Sequence, residues 1–308
     1  MKSNFIAELL NTSKPTLIKK AKEINLDLKK TKSGENIFTW DDAAKLHQYI
    51  SNNKIRKSVI SICQNKGGVG KTTSTINLGY LFSCIGKTLL IDIDAQANLS
   101  QVFNIYKSKN ELSLKDVLED SEKITNAIEK ISDNLHILPN TTSFDLWKKQ
   151  AITKRSPQYL LQKALKPIKS DYDFILIDCP PSVDLSFELA LYSSNYALII
   201  LDGHPFSLEG LENILSEIQR IIDDDVTGLL DLKILGVLFT RYKETLITKQ
   251  IIENANQNFD VFQTRIRENI QIPESQATKE PIFTYNEMCN GSIDYFKLWL
   301  EVLERINK

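Results

Sequence analysis

Five short apolar runs, rich in β-branched residues, punctuate the chain beyond residue 57: Val59 to Cys63, Leu89 to Ile93, Phe174 to Ile177, Ala197 to Leu201 and Ile234 to Phe239. They are apolar nearly throughout rather than alternating, the pattern of a strand covered on both faces. Longer stretches with helical spacing separate them. Strand and helix in alternation predict an α/β fold, a mostly parallel sheet whose strands are joined by crossover helices. Ile293 to Ile306 predicts an amphipathic helix near the C-terminal end, with Phe296, Trp299, Leu300 and Leu303 near one face.

The first fifty residues have a different texture. Residues 4 to 22 carry two short helical patterns separated by a turn around Asn11 and Thr12. Ser13 suits an N-cap, and Pro15 is tolerated in the first turn of a second helix running to about Lys22. Lys32 to Trp40 predicts a hairpin around Ser33-Gly34, and Asp41 to Tyr49 a further helix. The outline is that of a small winged helix-turn-helix. The polar run Ser51-Asn52-Asn53-Lys54 then marks a junction between residues 1–54 and 55–308.

Charge sharpens that division. The whole chain has a formal net charge of −1, but residues 1–57 hold 12 Lys plus Arg against 6 Asp plus Glu. A basic end is a candidate nucleic-acid surface, although solvated lysines are ordinary on any small domain. With 308 residues and 42% hydrophobic content the chain can fill a large core. No stretch approaches the roughly 18 apolar residues of a membrane span, and the start lacks the apolar run of a secretory signal, so a cytoplasmic protein is expected. Cys63, Cys84, Cys179 and Cys289 are far apart in sequence and offer no metal-ligand spacing; they read as buried thiols in a reducing compartment.

The chemistry concentrates after the first strand. Lys66-Gly67-Gly68-Val69-Gly70-Lys71-Thr72-Thr73 stands between a strand and a helix. Its glycines let backbone N–H groups turn inward around a polyphosphate, Lys71 neutralises phosphate oxygens, Thr72 offers a hydroxyl to Mg²⁺, and the following helix adds its positive end. A glycine-rich turn can be purely structural, but the mechanism fixes too many residues here for that reading. Two further strands end in carboxylates, Asp92 with Asp94 and then Asp178 before Pro180-Pro181. In a parallel sheet those ends face the same crevice as the loop.

The loop, Asp92-Ile93-Asp94-Ala95-Gln96, Asp178-Cys179-Pro180-Pro181-Ser182 and the late Ile272-Pro273-Glu274-Ser275 together resemble a ParA/Soj-type partition ATPase. That family belongs to the deviant Walker A group of P-loop proteins, with MinD and the nitrogenase iron protein. The similarity spans about residue 57 to the C-terminal end, and Gly203 to Gly210 leans towards the partition branch. The resemblance implies ATP and Mg²⁺ as cofactors and a homodimer on ATP binding. In it Lys66 reaches across the dimer to the partner's nucleotide, Lys71 holds the phosphates of its own, and Asp94 positions the attacking water. Thr72 binds Mg²⁺, Asp178 holds it through water, and Asp92 assists nearby. Thr240 with Arg241, and Ile272 with Pro273, fall where the family contacts the adenine base.

The N-terminal unit resembles the winged, MerR-like DNA-binding unit that precedes the ATPase in larger autoregulating partition proteins. That resemblance puts Lys14, Thr16, Lys19 and Lys20 on or beside a recognition helix. The bland alternative is a dimerisation unit. For sequence-independent DNA binding the nearest candidates are Arg241, Lys243, Lys249, Arg265 and Arg267. The implied function is segregation of a plasmid or chromosome origin by a nucleoid-associated, slow ATP hydrolase stimulated by a ParB-like centromere-binding protein. A MinD-like ATPase would need an amphipathic helix beyond the fold, and the iron protein paired cluster cysteines. A cargo-positioning ATPase shares every motif, and a plain repressor is the non-enzymatic alternative.

Overall fold

A computed structural model describes residues 1–52, 54–105, 111–203, 207–225, 228 and 230–308, with main chain alone for 207–209. Nine strands are described: β1 (Lys29–Lys30), β2 (Asn36–Ile37), β3 (Ser58–Cys63), β4 (Thr88–Asp92), β5 (Glu129–Lys130), β6 (Leu135–Leu138), β7 (Phe174–Asp178), β8 (Tyr196–Asp202) and β9 (Lys233–Thr240). The last seven form one sheet in the order β5-β6-β4-β7-β3-β8-β9. All its pairings are parallel except the short β5–β6 edge. The five predicted runs are its central strands and one edge. Sequence pattern missed β5, two residues long, and β6, whose apolar run is interrupted by His136.

Successive residues of the central strands feed opposite faces, as a pleated sheet requires. Val59, Ile91, Ile175, Ile177, Ile199 and Phe239 join one buried cluster, while Ile60, Ile62, Leu90, Leu176, Leu198 and Leu238 join the other. Both faces are covered by helices, so the strands are apolar on both sides. Parallel register brings Ile62 opposite Asp178 and Asp92 opposite Asp178 as well, so the C-terminal ends of β3, β4 and β7 open side by side.

The N-terminal unit consists of α1 (Ser3–Leu9), α2 (Lys14–Glu23), the antiparallel β1–β2 hairpin and α3 (Trp40–Ser51). Local chemistry sets its boundaries. Ser13 Oγ accepts from Thr16 N at 3.3 Å with Pro15 in the first turn of α2, and Thr39 and Asp42 close a capping box on α3. Its apolar residues do not form a separate core. Ile6, Leu17, Phe38, Trp40 and Leu46 belong to the same cluster as Phe82, Phe296 and Trp299. Trp40 lies edge-on to Phe283 with ring centroids 5.6 Å apart and tilted on Phe296 at 4.8 Å, and its Nε1 donates to Glu287 O at 2.9 Å. The polar run at 51–54 is therefore a connection between units packed together; within it Asn53 lies outside the described residues.

Candidate nucleotide site

The phosphate loop leaves β3 and enters α4 (Lys71–Ser83). Gly68 has φ +73 and Gly70 φ +95, left-handed conformations that a side chain would strain. A Cβ added at Gly67 or Gly68 would meet nothing within 4 Å, so this rim borders open space. That space is a cavity of about 1190 Å³ whose walls include Gly67, Gly68, Gly70, Lys71, Thr72 and Thr73. Thr240, Arg241, Ile272 and Pro273 line it too, so the four expected base-side residues share a cavity with the phosphate loop. Val69 differs: its side chain is buried in the core and only its main chain belongs to the loop.

The loop is held from below and from the side. Gln64, next to β3, donates through Nε2 to Ile200 O at 3.0 Å, and its Oε1 accepts from Asn65 N at 2.7 Å. Thr240 Oγ1 is 2.5 Å from Val69 O and 3.1 Å from Leu201 O. Arg241, itself at φ +50, donates to Gly68 O at 3.3 Å. Gln64 escaped the sequence reading, because a buried polar residue beside a motif carries no periodic signal.

Lys71 is buried and donates to Lys66 O at 2.9 Å, spanning the loop from inside. Burial lowers its pKa, and the Asp178 carboxylate opposes that shift. Thr72 Oγ1 donates to Asp178 Oδ2 at 2.6 Å, and Thr75 Oγ1 to Asp178 Oδ1 at 3.2 Å. Burial pushes Asp178 up to about 7, against the pull of Thr72 and Lys71. A carboxylate so deprived of water is ready to be relieved by a cation. No group of three or more His, Cys, Asp or Glu among the described residues could hold a metal by itself. This donor set would suit a Mg²⁺ held largely by phosphate oxygens and water, to which Thr72 and Asp178 could each offer an oxygen.

The other two carboxylates divide. Asp94 lines the cavity; its Oδ1 accepts from Gln96 N at 2.9 Å, and its carbonyl accepts from Asn140 Nδ2 at 3.2 Å. Asp92, expected to assist near the metal, is fully buried, as Asp178 nearly is, and lies opposite Asp178 in the β4–β7 register. Its Oδ2 accepts from Ser100 N at 2.8 Å and Ser100 Oγ at 2.7 Å, and its Oδ1 from Asp94 N at 3.2 Å. Burial first, and then the Asp178 charge, push it up to about 8. Its geometry is that of a residue shaping the turn that presents Asp94.

Lys66 sits at the rim, about half exposed, with Nζ 2.6 Å from Oδ2 of the buried Asp202 at the end of β8. Within one chain the head lysine is therefore tethered in cis. Of the Gly203 to Gly210 stretch, residues 204–206 lie outside the described residues. Cys63, Cys179 and Cys289 are buried free thiols as expected, while Cys84 is only partly buried. Cys63 and Cys179 follow the paired residues Ile62 and Asp178 on adjacent strands, and their sulfurs are 3.7 Å apart. Distance in sequence does not bear on distance in a parallel sheet.

The basic candidates are mostly engaged. Lys14 pairs with Glu35 at 3.6 Å, and Lys19 and Lys20 with Glu23 at 4.0 and 2.9 Å. Thr16 shares its hydroxyl with the Ser13 cap at 2.8 Å. Lys243 pairs with Glu268 and Lys249 with Glu244, while Arg265 lies over the Tyr242 ring at 5.2 Å. Arg267 was expected to meet DNA. Its side chain is partly exposed and grips the buried Asp294 through Nε at 2.9 Å and Nη2 at 2.6 Å, fastening the cavity wall to the helix Asn290–Asn307.

Comparison with known proteins agrees with this geometry. A family model described as an AAA domain matches residues 57–234. The chromosome-partitioning ATPase Soj of Treponema pallidum is 33% identical over 81% of this chain and 98% of its own length. The crystal structure of a plasmid partition protein from Borrelia burgdorferi superposes with a TM-score of 0.64 at 26% identity, covering 81% of this chain and 97% of that one. The septum site-determining protein MinD of Pyrococcus horikoshii, complexed with Mg-ADP, gives 0.65 at 29% identity over 79% and 95%. With a phosphate loop, a buried lysine, a hydroxyl facing a desolvated aspartate and these relatives, the chain belongs to the ParA/Soj family of P-loop ATPases.

Proposed function

We propose that the chain is a Mg²⁺-dependent ATP hydrolase of a DNA partition system, active as a dimer formed around ATP. The observation that carries this reading is the division of the loop's two cations. Lys71 is sunk inside the loop, whereas Lys66 stands half exposed at its rim, paired with Asp202. Phosphoryl transfer relies on positioning and charge neutralisation, so a cation held at the rim can serve a second copy's phosphates. Asp202 then acts as the resting partner of Lys66, released when the phosphates of a facing protomer compete for it. Asp94 at the cavity wall would orient the attacking water, and a bound Mg²⁺ would supply Lewis-acid polarisation of the phosphates. A ParB-like, centromere-bound protein stimulates turnover, and ATP dimers on nucleoid DNA supply the motion.

The test is oligomeric state. Lys66→Ala is expected to bind nucleotide but sediment as a monomer in Mg·ATP, where the wild type sediments as a dimer. A variant that dimerises normally with ATP would rule out the trans role.

The N-terminal unit supports a second contact, with operator DNA through α2. The ion pairs of Lys14, Lys19 and Lys20 are solvent-accessible and weakened by screening, so a DNA phosphate can displace the glutamates. Replacing Lys19 and Lys20 with alanine should weaken binding to duplex DNA and reduce the log–log salt slope by about two. An unchanged slope in a salt titration would leave the unit with a dimerisation role. For sequence-independent binding, Lys243, Lys249 and Arg265 are the better candidates, since Arg267 and Arg241 are tied to the cavity wall.

A further inference from the structure

Thr72 and Thr73 are consecutive on the first turn of α4, so their side chains diverge by about 100°. Thr72 faces Asp178 and the metal side. Thr73 faces the opposite wall, where its Oγ1 accepts from Nε2 of Gln276 at 2.7 Å. Gln276 lies on the helix Gln271–Ala277, which also carries Ile272 and Pro273 into the cavity. Both Gln276 and Thr73 line that cavity.

A hydroxyl has one proton and two lone pairs. Here the Gln276 amide takes a lone pair, and no acceptor among the described residues takes the proton. It is left to point into the cavity between the base end, marked by Ile272 and Pro273, and the metal end, marked by Thr72. One turn further along α4, Asn77 ties α4 to Ile282, at the start of the short helix that follows the one carrying Gln276. Its Nδ2 donates to Thr73 O at 2.9 Å, and its Oδ1 accepts from Ile282 N at 2.9 Å. The reach of Gln276 is therefore set by the fold before any nucleotide arrives.

We propose that Gln276 is a positioning residue for the nucleotide: by donating to Thr73 it directs the Thr73 proton onto the phosphate nearest the base. This rests on the ATP reading of the same cavity. It makes the helix that receives the base also the one that sets the hydrogen-bond polarity of the phosphate loop.

The experiment is a double-mutant cycle read as Mg·ADP affinity by calorimetry, with adenosine competition alongside. Gln276→Ala and Thr73→Val are each expected to weaken Mg·ADP about tenfold, as is the double variant, because the first leaves the Thr73 proton undirected and the second removes it. Gln276→Glu, which can only accept, should weaken it further than alanine does. Adenosine, lacking phosphate, should bind the wild type and Gln276→Ala alike. Additive losses, wild-type affinity in Gln276→Glu, or an equal loss for adenosine would each overturn the role of Gln276. A wild-type protein that takes up no Mg·ADP would remove the ATPase reading itself.

Discussion

Lys71→Ala lowers ATP turnover by about 10²- to 10³-fold, the effect typical of removing one preorganised charge donor from a phosphoryl or acyl transition state. Lys71 is 7% exposed and reaches across the loop to Lys66 O. Water replaces it poorly, because the space it leaves is walled by loop backbone and α4. The effect should exceed that of Lys66→Ala on nucleotide binding, since Lys66 is tethered at the rim and Lys71 within. Steady-state phosphate release, with circular dichroism to check folding, measures it. Turnover within a few fold of wild type would mean that the loop does not hold the triphosphate as its geometry implies.

Trp40→Ala should destabilise the folded chain by about 3–5 kcal/mol. Trp40 is 2% exposed and touches the rings of Phe5, Phe283 and Phe296, so its loss empties the junction between the N-terminal unit and the ATPase. It also strands the Glu287 carbonyl that accepts from its indole nitrogen. Trp40→Phe, which keeps part of the volume, should recover a good share of the loss. Denaturant unfolding of both variants measures the difference. A loss below about 1 kcal/mol would show that the N-terminal unit is not anchored by this residue.

The same junction lies close to the nucleotide cavity. Phe283, stacked on Tyr80 of α4 at 5.3 Å, sits on the stretch that follows the helix carrying Gln276. Thr73, Asn77 and Tyr80 thus form one stripe along α4, polar near the loop and aromatic near Trp40. The N-terminal unit is packed against the distal end of the helix that begins at the phosphates.

Much of this protein is legible in its sequence because it depends on local patterns. Unbroken apolar runs become strands buried on both faces, Ser13 and Pro15 start a helix, and the loop's glycines occupy conformations that a side chain would strain. The phosphate loop could be read as chemistry since backbone, lysine and hydroxyl must follow one another along the chain to surround one polyphosphate. Tertiary structure alone decided the pairings. Lys66 meets Asp202 across 136 residues, and Gln276 meets Thr73 across 203. It also brought Cys63 beside Cys179, set Asp92 opposite Asp178 and tied Arg267 to Asp294. In a parallel sheet, spatial neighbours are separated in sequence by whole crossovers. A single polar side chain has no period to betray its partner, so only the packed core, by fixing strand order and register, determines which charges and hydroxyls meet.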